Sequence, residues 1–547
     1  MKEIEFNLID EKWISVIDKD CNVTELSLSE VFRNAQNYSD LCGEIPPQDI
    51  AVMRILLAVL HTVIARYGDD GQRCDAETAD DMIDRWKAIW DRGAFPSEAV
   101  NDYLDSVHGR FWLFHPIHPF MQEPLAKYGT KYAASKLNGE LSESSNKSRL
   151  FSMLSGKDKN ALTMAQAARW LLYVNAFDDT SAKPSSLSRK RKIKYGSPGA
   201  GWLGKLGLIT LKGENLFETL MLNTALWTGY EETAAEQLPS WEKDRYIPKE
   251  DDVCIERTER VKTAQPDNLA ALYTLRSRCI LLERNEDGIT GYSLLGGEFF
   301  DRENAFIEPM TVWRDSGNKK QDIYTPKRHD RSKQFWREFA SVYPQTDAFH
   351  RRPGIISWFA FLKAEGFIPS RYMLNTKICS VQYGDKDFFI TDVFSDSLSM
   401  SGDIILGMAL PWQKCIEQAV ELTEQIADIV GRLAREIFIA EGGDAESAPE
   451  IIKKAKSEYY FDIDSKFRKW LTEIDPSSEK PAEGKHAWED IAVRTAKSLG
   501  RKIVNKAGTN AIIGRTVIVN DRPVRYSAAK AENNFYRKMG NIKQREV

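Results

Sequence analysis

Cysteine and histidine are scarce and poorly placed for chemistry. The 547 residues contain seven of each. The cysteines, at 21, 42, 74, 254, 279, 379 and 415, form no CxxC pair, so neither a thiolate metal site nor a disulfide framework is encoded. His115 and His118 stand as HxxH beside prolines. That spacing lacks helical register and no Cys, Asp or Glu completes a ligand set, so aromatic packing around an irregular turn is expected and no metal is assigned. The opening MKEIEFNLIDEKWISV has acids where a secretory leader has basic and then apolar residues, and no apolar stretch of membrane-spanning length is expected. A soluble chain in a reducing cytoplasm follows. GxxxxGK[ST] is absent, since Gly204-Lys205 is followed by Leu206, and so is GxSxG. No carboxylate pair or histidine set stands in a recognisable catalytic frame, so no enzyme class and no cofactor is indicated. Excess positive charge is lacking too. With 75 Lys and Arg against 80 Asp and Glu, indiscriminate nucleic-acid binding is excluded and any such contact must be local.

One local stretch runs against that acidic balance. Lys183–Lys205, KPSSLSRKRKIKYGSPGAGWLGK, holds seven basic residues, no acidic one, and glycines at 196, 199, 201 and 204. Backbone without Cβ atoms can approach a ligand closely, and consecutive N–H groups make an anion-binding concavity. Flanking Lys192 and Lys194 would neutralise phosphates. The segment reads either as a contact with a nucleic-acid backbone or as a solvated charged loop.

The apolar pattern gives the architecture. Phe6–Ile9 and Trp13–Ile17 around Asp10-Glu11-Lys12 read as a hairpin. Ser29 or Asp49 is placed to cap a helix, the second running from Ile50 to about Arg66 with apolar residues nearly all round, hence buried. Asp80–Trp90 carries apolar residues at helical spacing, and Thr163 caps a helix over ALTMAQAARWLLYVNAF. Between them, residues 125–160 form a polar stretch rich in Ser, Lys, Gly and Asn that reads as a long mobile loop. From 207 to about 400 short strands mix with helices. Leu272–Asn285 is strand-like. Phe306–Pro326 reads as a hairpin with Arg314, Lys319 and Lys320 near its tip, and Ile378–Asp396 as a second with Gly384-Asp385-Lys386-Asp387 at the turn. Beyond Ser401 the pattern becomes helical, at about 411–440, 447–474, 485–506 and 524–540, which fits an antiparallel four-helix bundle. The expected fold is therefore α+β, with a mixed α/β domain over 1–400 and the bundle over 401–547. Residues 485–547 carry 14 Lys and Arg against 5 Asp and Glu. This basic end reads as facing nucleic acid or an acidic partner, or as a solvated face.

Four stretches carry a resemblance: NLIDEKWISV at Asn7–Val16, HPFMQ at His118–Gln122, GLITLKGENLFETLMLNTAL at Gly207–Leu226, and LPSWEKD at Leu238–Asp244. Together, and in this order, they resemble the CasA family, the large subunit of the type I-E CRISPR surveillance complex Cascade. The resemblance implies a non-catalytic subunit that recognises the protospacer-adjacent motif in duplex DNA, helps unwind it, and recruits a helicase-nuclease. Its partners would be the guide RNA, the other subunits and double-stranded target DNA. The family's glycine-rich loop, which enters the minor groove, corresponds to Gly196, Ser197, Pro198, Gly199, Ala200 and Gly201. Ser197, Pro198 and Ala200 depart from the pattern and stiffen it. A groove-contacting lysine corresponds to one of Arg314, Lys319 and Lys320, whose other reading is protection of a sheet edge. The family's duplex wedge falls on Lys386, Asp387 and Phe388. A glutamine is usual there and Gln382 is the nearest, so either Lys386 and Phe388 pry the step apart or the register is shifted, with a plain surface hairpin as the other reading. Asn146, Leu150, Phe151 and Ser152 correspond to a loop that touches guide RNA and neighbouring subunits, or to a linker. The competing class is an RNA-processing enzyme or a generic ribonucleoprotein scaffold.

Overall fold

Pro46 and Pro47 start the helix on which the first unit is built. Prolines in a first turn preset φ and lose no hydrogen bond, and the helix runs Pro46–Arg66. Asp49 does not cap it. It lies in the first turn, where its carboxylate accepts from the Gly43 amide at 2.6 Å and fixes the incoming chain. The helix is long and apolar enough to cross a membrane by length and composition, contrary to expectation, yet 94% of its apolar window is buried inside the protein. It is a core helix, packed on Met164–Phe177 and Leu269–Tyr273. Arg54 crosses this core as a bidentate partner of Glu308, at 3.1 and 2.8 Å.

The computed structural model describes residues 3–139, 160–180, 199–228, 236–243, 266–286, 288–297, 300–318, 321, 323–344, 352–369, 371–444, 446–477, 480–519 and 522–544. They fall into two units. The first comprises Met1–Arg331, Thr346–Phe367 and Asn375–Ser397, and the second Ser332–Gln345, Ile368–Leu374 and Leu398–Val547. The second unit thus takes in two segments from before residue 400.

The first unit is a set of small antiparallel sheets around the core helices. The N-terminal hairpin does not form. Strand Glu5–Asn7 pairs with Trp112–Phe114, while Ile14–Ile17 pairs with Val23–Leu26 and Asp40–Leu41. Asn7 is the cause: its side chain accepts from Ile9 N at 2.9 Å and donates to His108 O at 3.0 Å, which sends the two strands into different sheets. Ser27, not Ser29, caps the next helix. Thr163 caps Met164–Phe177 in a reciprocal box with Gln166, as the sequence indicates.

The stretch expected as one loop from 125 to 160 is ordered in its first part. Thr130–Ala133 is a strand paired with Gly288–Gly296, which also pairs with Arg278–Asn285. Leu272–Asn285 is correspondingly not all strand, because Leu269–Tyr273 is helical and the strand begins at Arg278. His115 Nδ1 accepts from the amides of Ile117 and His118 at 3.1 and 2.9 Å, which commits it to the turn. Two of the stretches singled out in the sequence are structural. Gln122 ties Leu113 O to Leu282 N, and Trp241 Nε1 donates to the Tyr103 hydroxyl, which donates to Glu242.

The second unit is helical. Leu410–Glu441, Ala448–Glu473, Pro481–Asn505 and Ala528–Gln544 are its long helices. Phe467, Trp470 and Trp488 meet in its core, the Phe467 and Trp488 rings 4.8 Å apart and nearly perpendicular. The last helix starts later than its sequence pattern indicated. Arg515–Val519 and Arg522–Tyr526 pair as a hairpin in front of it.

Candidate nucleic-acid interface

Strands Met373–Tyr383 and Ile390–Ser401 form the hairpin expected over 378–396, and the first of them pairs on its other side with Leu208–Lys212. A single 3-10 turn, Asp385–Asp387, makes the tip. Gly384 N donates to Phe389 O at 2.8 Å and closes the turn. Lys386 and Asp387 adopt φ of 53° and 60°, the left-handed region that side chains disfavour. Lys386 is exposed and Phe388 is 44% exposed, an aromatic ring left in solvent at a hairpin end. Asp387 differs. Its two carboxylate oxygens accept from Arg328 Nη1 and Nη2 at 2.8 and 2.9 Å, so it latches the tip and does not project from it. Gln382 sits in the strand before the turn, half-buried.

The chain on both sides of residues 181–198 is tied to this hairpin. On the N-terminal side, the Thr180 hydroxyl donates to Lys386 O at 2.7 Å and its amide to Asp387 O at 2.9 Å. On the C-terminal side, Gly204 O accepts from Arg328 Nε at 2.6 Å. The two ends are also tied to each other. Gly201 N donates to Asp178 O at 2.9 Å. Arg278, with a fully buried side chain, pairs with the Asp178 carboxylate at 2.6 Å and donates to the carbonyls of Asp178, Asp179 and Gly199 at 3.1, 2.7 and 2.7 Å. Gly199 has φ of 74°, and a Cβ on Gly201 would lie 2.3 Å from Ala176 O, so glycine is required at both places. Ala200 is 2% exposed and Gly201 is buried. Asp178–Thr180 and Gly199–Gly204 thus form a neck, within which Ala200 and Gly201 present no surface. Lys192, Lys194, Gly196, Ser197 and Pro198 lie outside the described residues.

Trp202 is core: its ring packs on Phe300 at 4.3 Å and its Nε1 donates to Glu308 at 2.7 Å. The other hairpin is shorter than expected, Trp313–Asp315 against Tyr324–Pro326. Arg314 stands exposed on it, with Nε 3.4 Å from Thr325 Oγ1. Lys319 and Lys320 lie outside the described residues, as do Asn146, Leu150, Phe151 and Ser152. The base of this hairpin rests on the same frame, since Val312 N donates to Gly207 O at 3.1 Å and Arg328 follows two residues after its last strand residue. Arg278, Arg328 and Thr180 were not singled out in the sequence. The available signal was a charged residue inside the β-rich run at Arg278; Arg328 and Thr180 gave none.

The sequence matches the family model for CRISPR-associated protein Cse1 over residues 7–499. The chain belongs to the Cse1 family. A CRISPR-associated protein CasA/Cse1 of Thermus thermophilus is 30% identical over 343 residues, which span 62% of this chain and 60% of that relative. The crystal structure of Thermobifida fusca Cse1 superposes with a TM-score of 0.81 at 28% identity, covering 98% of both chains. A chain of a CRISPR RNA-guided surveillance complex shares the fold with a TM-score of 0.68 at 16% identity, covering 98% of this chain and 99% of that one. The two structural matches each extend over 98% of this chain.

Proposed function

We propose that this Cse1-family chain is the large, non-catalytic subunit of an RNA-guided CRISPR surveillance complex. It recognises the protospacer-adjacent motif in duplex DNA, helps unwind the duplex, and recruits a helicase-nuclease. The observation that carries the reading is the convergence of three segments on one frame. The residues that flank 181–198, the Lys386–Phe388 tip and the base of the Arg314 hairpin are joined through Thr180, Gly207, Arg278 and Arg328.

Each part has a physical task. The basic residues of 183–205 neutralise backbone phosphates, and glycine backbone next to them can enter a minor groove. That groove offers a degenerate pattern of donors and acceptors, which suits a reader that accepts several motif sequences. Phe388 and Lys386 provide an apolar ring and a cation at a hairpin end. Inserting an apolar wedge at a base step costs a few kcal/mol of stacking, recovered through contacts to the opened strands. Sequence readout then passes to guide-RNA base pairing, with the protein sensing only the short motif. The chain would work in the cytoplasm with guide RNA and the other subunits, and the segment 140–159 with Asn146 and Leu150–Ser152 is proposed to meet them. A density map of the guide-RNA complex bound to motif-bearing duplex tests this reading. It should place 183–198 and the Lys386–Phe388 tip within contact distance of the DNA next to the motif. Both segments lying away from the duplex would overturn it.

A further inference from the structure

We infer that Arg328 and Thr180 are positioning residues that latch the hairpin tip to the neck at Asp178–Thr180 and Gly199–Gly204, so that tip and neck respond as one unit. The functional meaning rests on the DNA-sensing reading above; the latch itself does not. Lys386 and Asp387 are neither glycine nor asparagine, yet both hold positive φ, a conformation that persists only where the surroundings impose it. Here the imposing groups come from elsewhere in the chain. The two strained residues are the ones whose carbonyls Thr180 holds, through its hydroxyl and its amide. Thr180 directly follows Asp178-Asp179, the pair that the buried Arg278 clamps to Gly199.

Arg328 closes the latch from the other side. Its guanidinium forks onto the Asp387 carboxylate, its Nε reaches Gly204 O, and its Cζ lies 4.7 Å from the centre of the Tyr383 ring. The Tyr383 hydroxyl in turn donates to Phe177 O at 2.5 Å, at the end of the helix that leads into the neck. A planar fork serves two acceptors and a ring at once, which a lysine cannot reproduce. Displacement of the neck therefore reaches the tip through Thr180 and Arg328, and displacement of the tip loosens the neck.

Hydrogen exchange on the full-length chain without nucleic acid tests the latch. In Arg328→Ala, exchange of the Thr180, Asp387 and Phe388 amides should rise together by about tenfold or more, with the amides of Leu410–Glu441 unchanged. Arg328→Lys should give an intermediate result, and Thr180→Val, which removes only the hydroxyl, a rise of a few-fold at 384–388. Thr180→Val also decides the matter if Arg328→Ala fails to fold. In Arg328→Ala a response at the hairpin alone, or none, overturns the latch, and in Thr180→Val unchanged exchange at 384–388 does so. In the guide-RNA complex, Arg328→Ala should lower opening of linear motif-bearing duplex about tenfold and leave bubble binding within twofold. Equal loss on both substrates with unchanged tip exchange would make Arg328 a plain folding residue and sink the inference. Faster exchange at both sites with no loss on either substrate would instead retain the latch and reject the tip as a wedge.

Discussion

Arg278 shows how much one side chain decides here. Its guanidinium is buried with Asp178, and removing one partner of a buried pair leaves an uncompensated charge. Arg278→Ala should therefore cost about 3–5 kcal/mol in a denaturant titration of the full chain. Replacing Gly199, held at φ of 74°, forces a side chain into the left-handed region at about 1–2 kcal/mol. Gly199→Asp also sets a carboxylate beside the basic stretch, so binding of motif-bearing duplex should weaken in a mobility-shift titration. Asp49 supplies a pH effect. Burial pushes its carboxyl up to about 7, against the opposing bond from Gly43, with the Asp40 and Glu44 carboxylates raising it and Lys377 lowering it. Because the folded value lies above the ordinary one, the stabilisation is full at acid pH, below about 4, and is lost as pH rises through about 7. Asp49→Asn should then be more stable than the natural chain at pH 8, with the difference shrinking in thermal melts toward pH 5.

At the level of elements, the bundle core gives a direct prediction. Trp488 is fully buried and its Nε1 donates to Thr423 Oγ1 at 3.0 Å. Trp488→Ala should destabilise the second unit by about 3–5 kcal/mol, read as a lower midpoint for its helical signal. That helix was legible in the sequence because helical periodicity is local, although Trp488's partner Thr423 lies 65 residues earlier. The capping box at Thr163 and the Gly384–Asp387 turn were legible for the same reason, each being local chemistry. The N-terminal hairpin was misread because Asn7, a polar residue within the run, bends the chain toward a strand more than a hundred residues later. The Arg515–Tyr526 hairpin was passed over although RTVIV and RPVRY are β-rich, since helical composition on both sides dominated the pattern. At the interface, the tip was legible but not the role of Asp387. Its partner Arg328 lies 59 residues away in sequence, and no spacing rule connects the two.

On the scale of the whole molecule, an acidic chain carries a local basic segment at 183–205 and a hairpin tip with Lys386 and Phe388 exposed. A net charge of −5 disfavours non-specific nucleic-acid affinity, so under the proposed function discrimination would fall to local cationic and aromatic segments. The most direct test is a comparison of substrates for Lys386→Ala/Phe388→Ala in the guide-RNA complex. A fluorescent base analogue beside the motif would report opening of linear duplex, and a titration would report binding to a pre-opened bubble. The account predicts that opening of linear duplex falls about tenfold or more while bubble binding stays within twofold. Equal loss on the two substrates, or no loss on either, would contradict it.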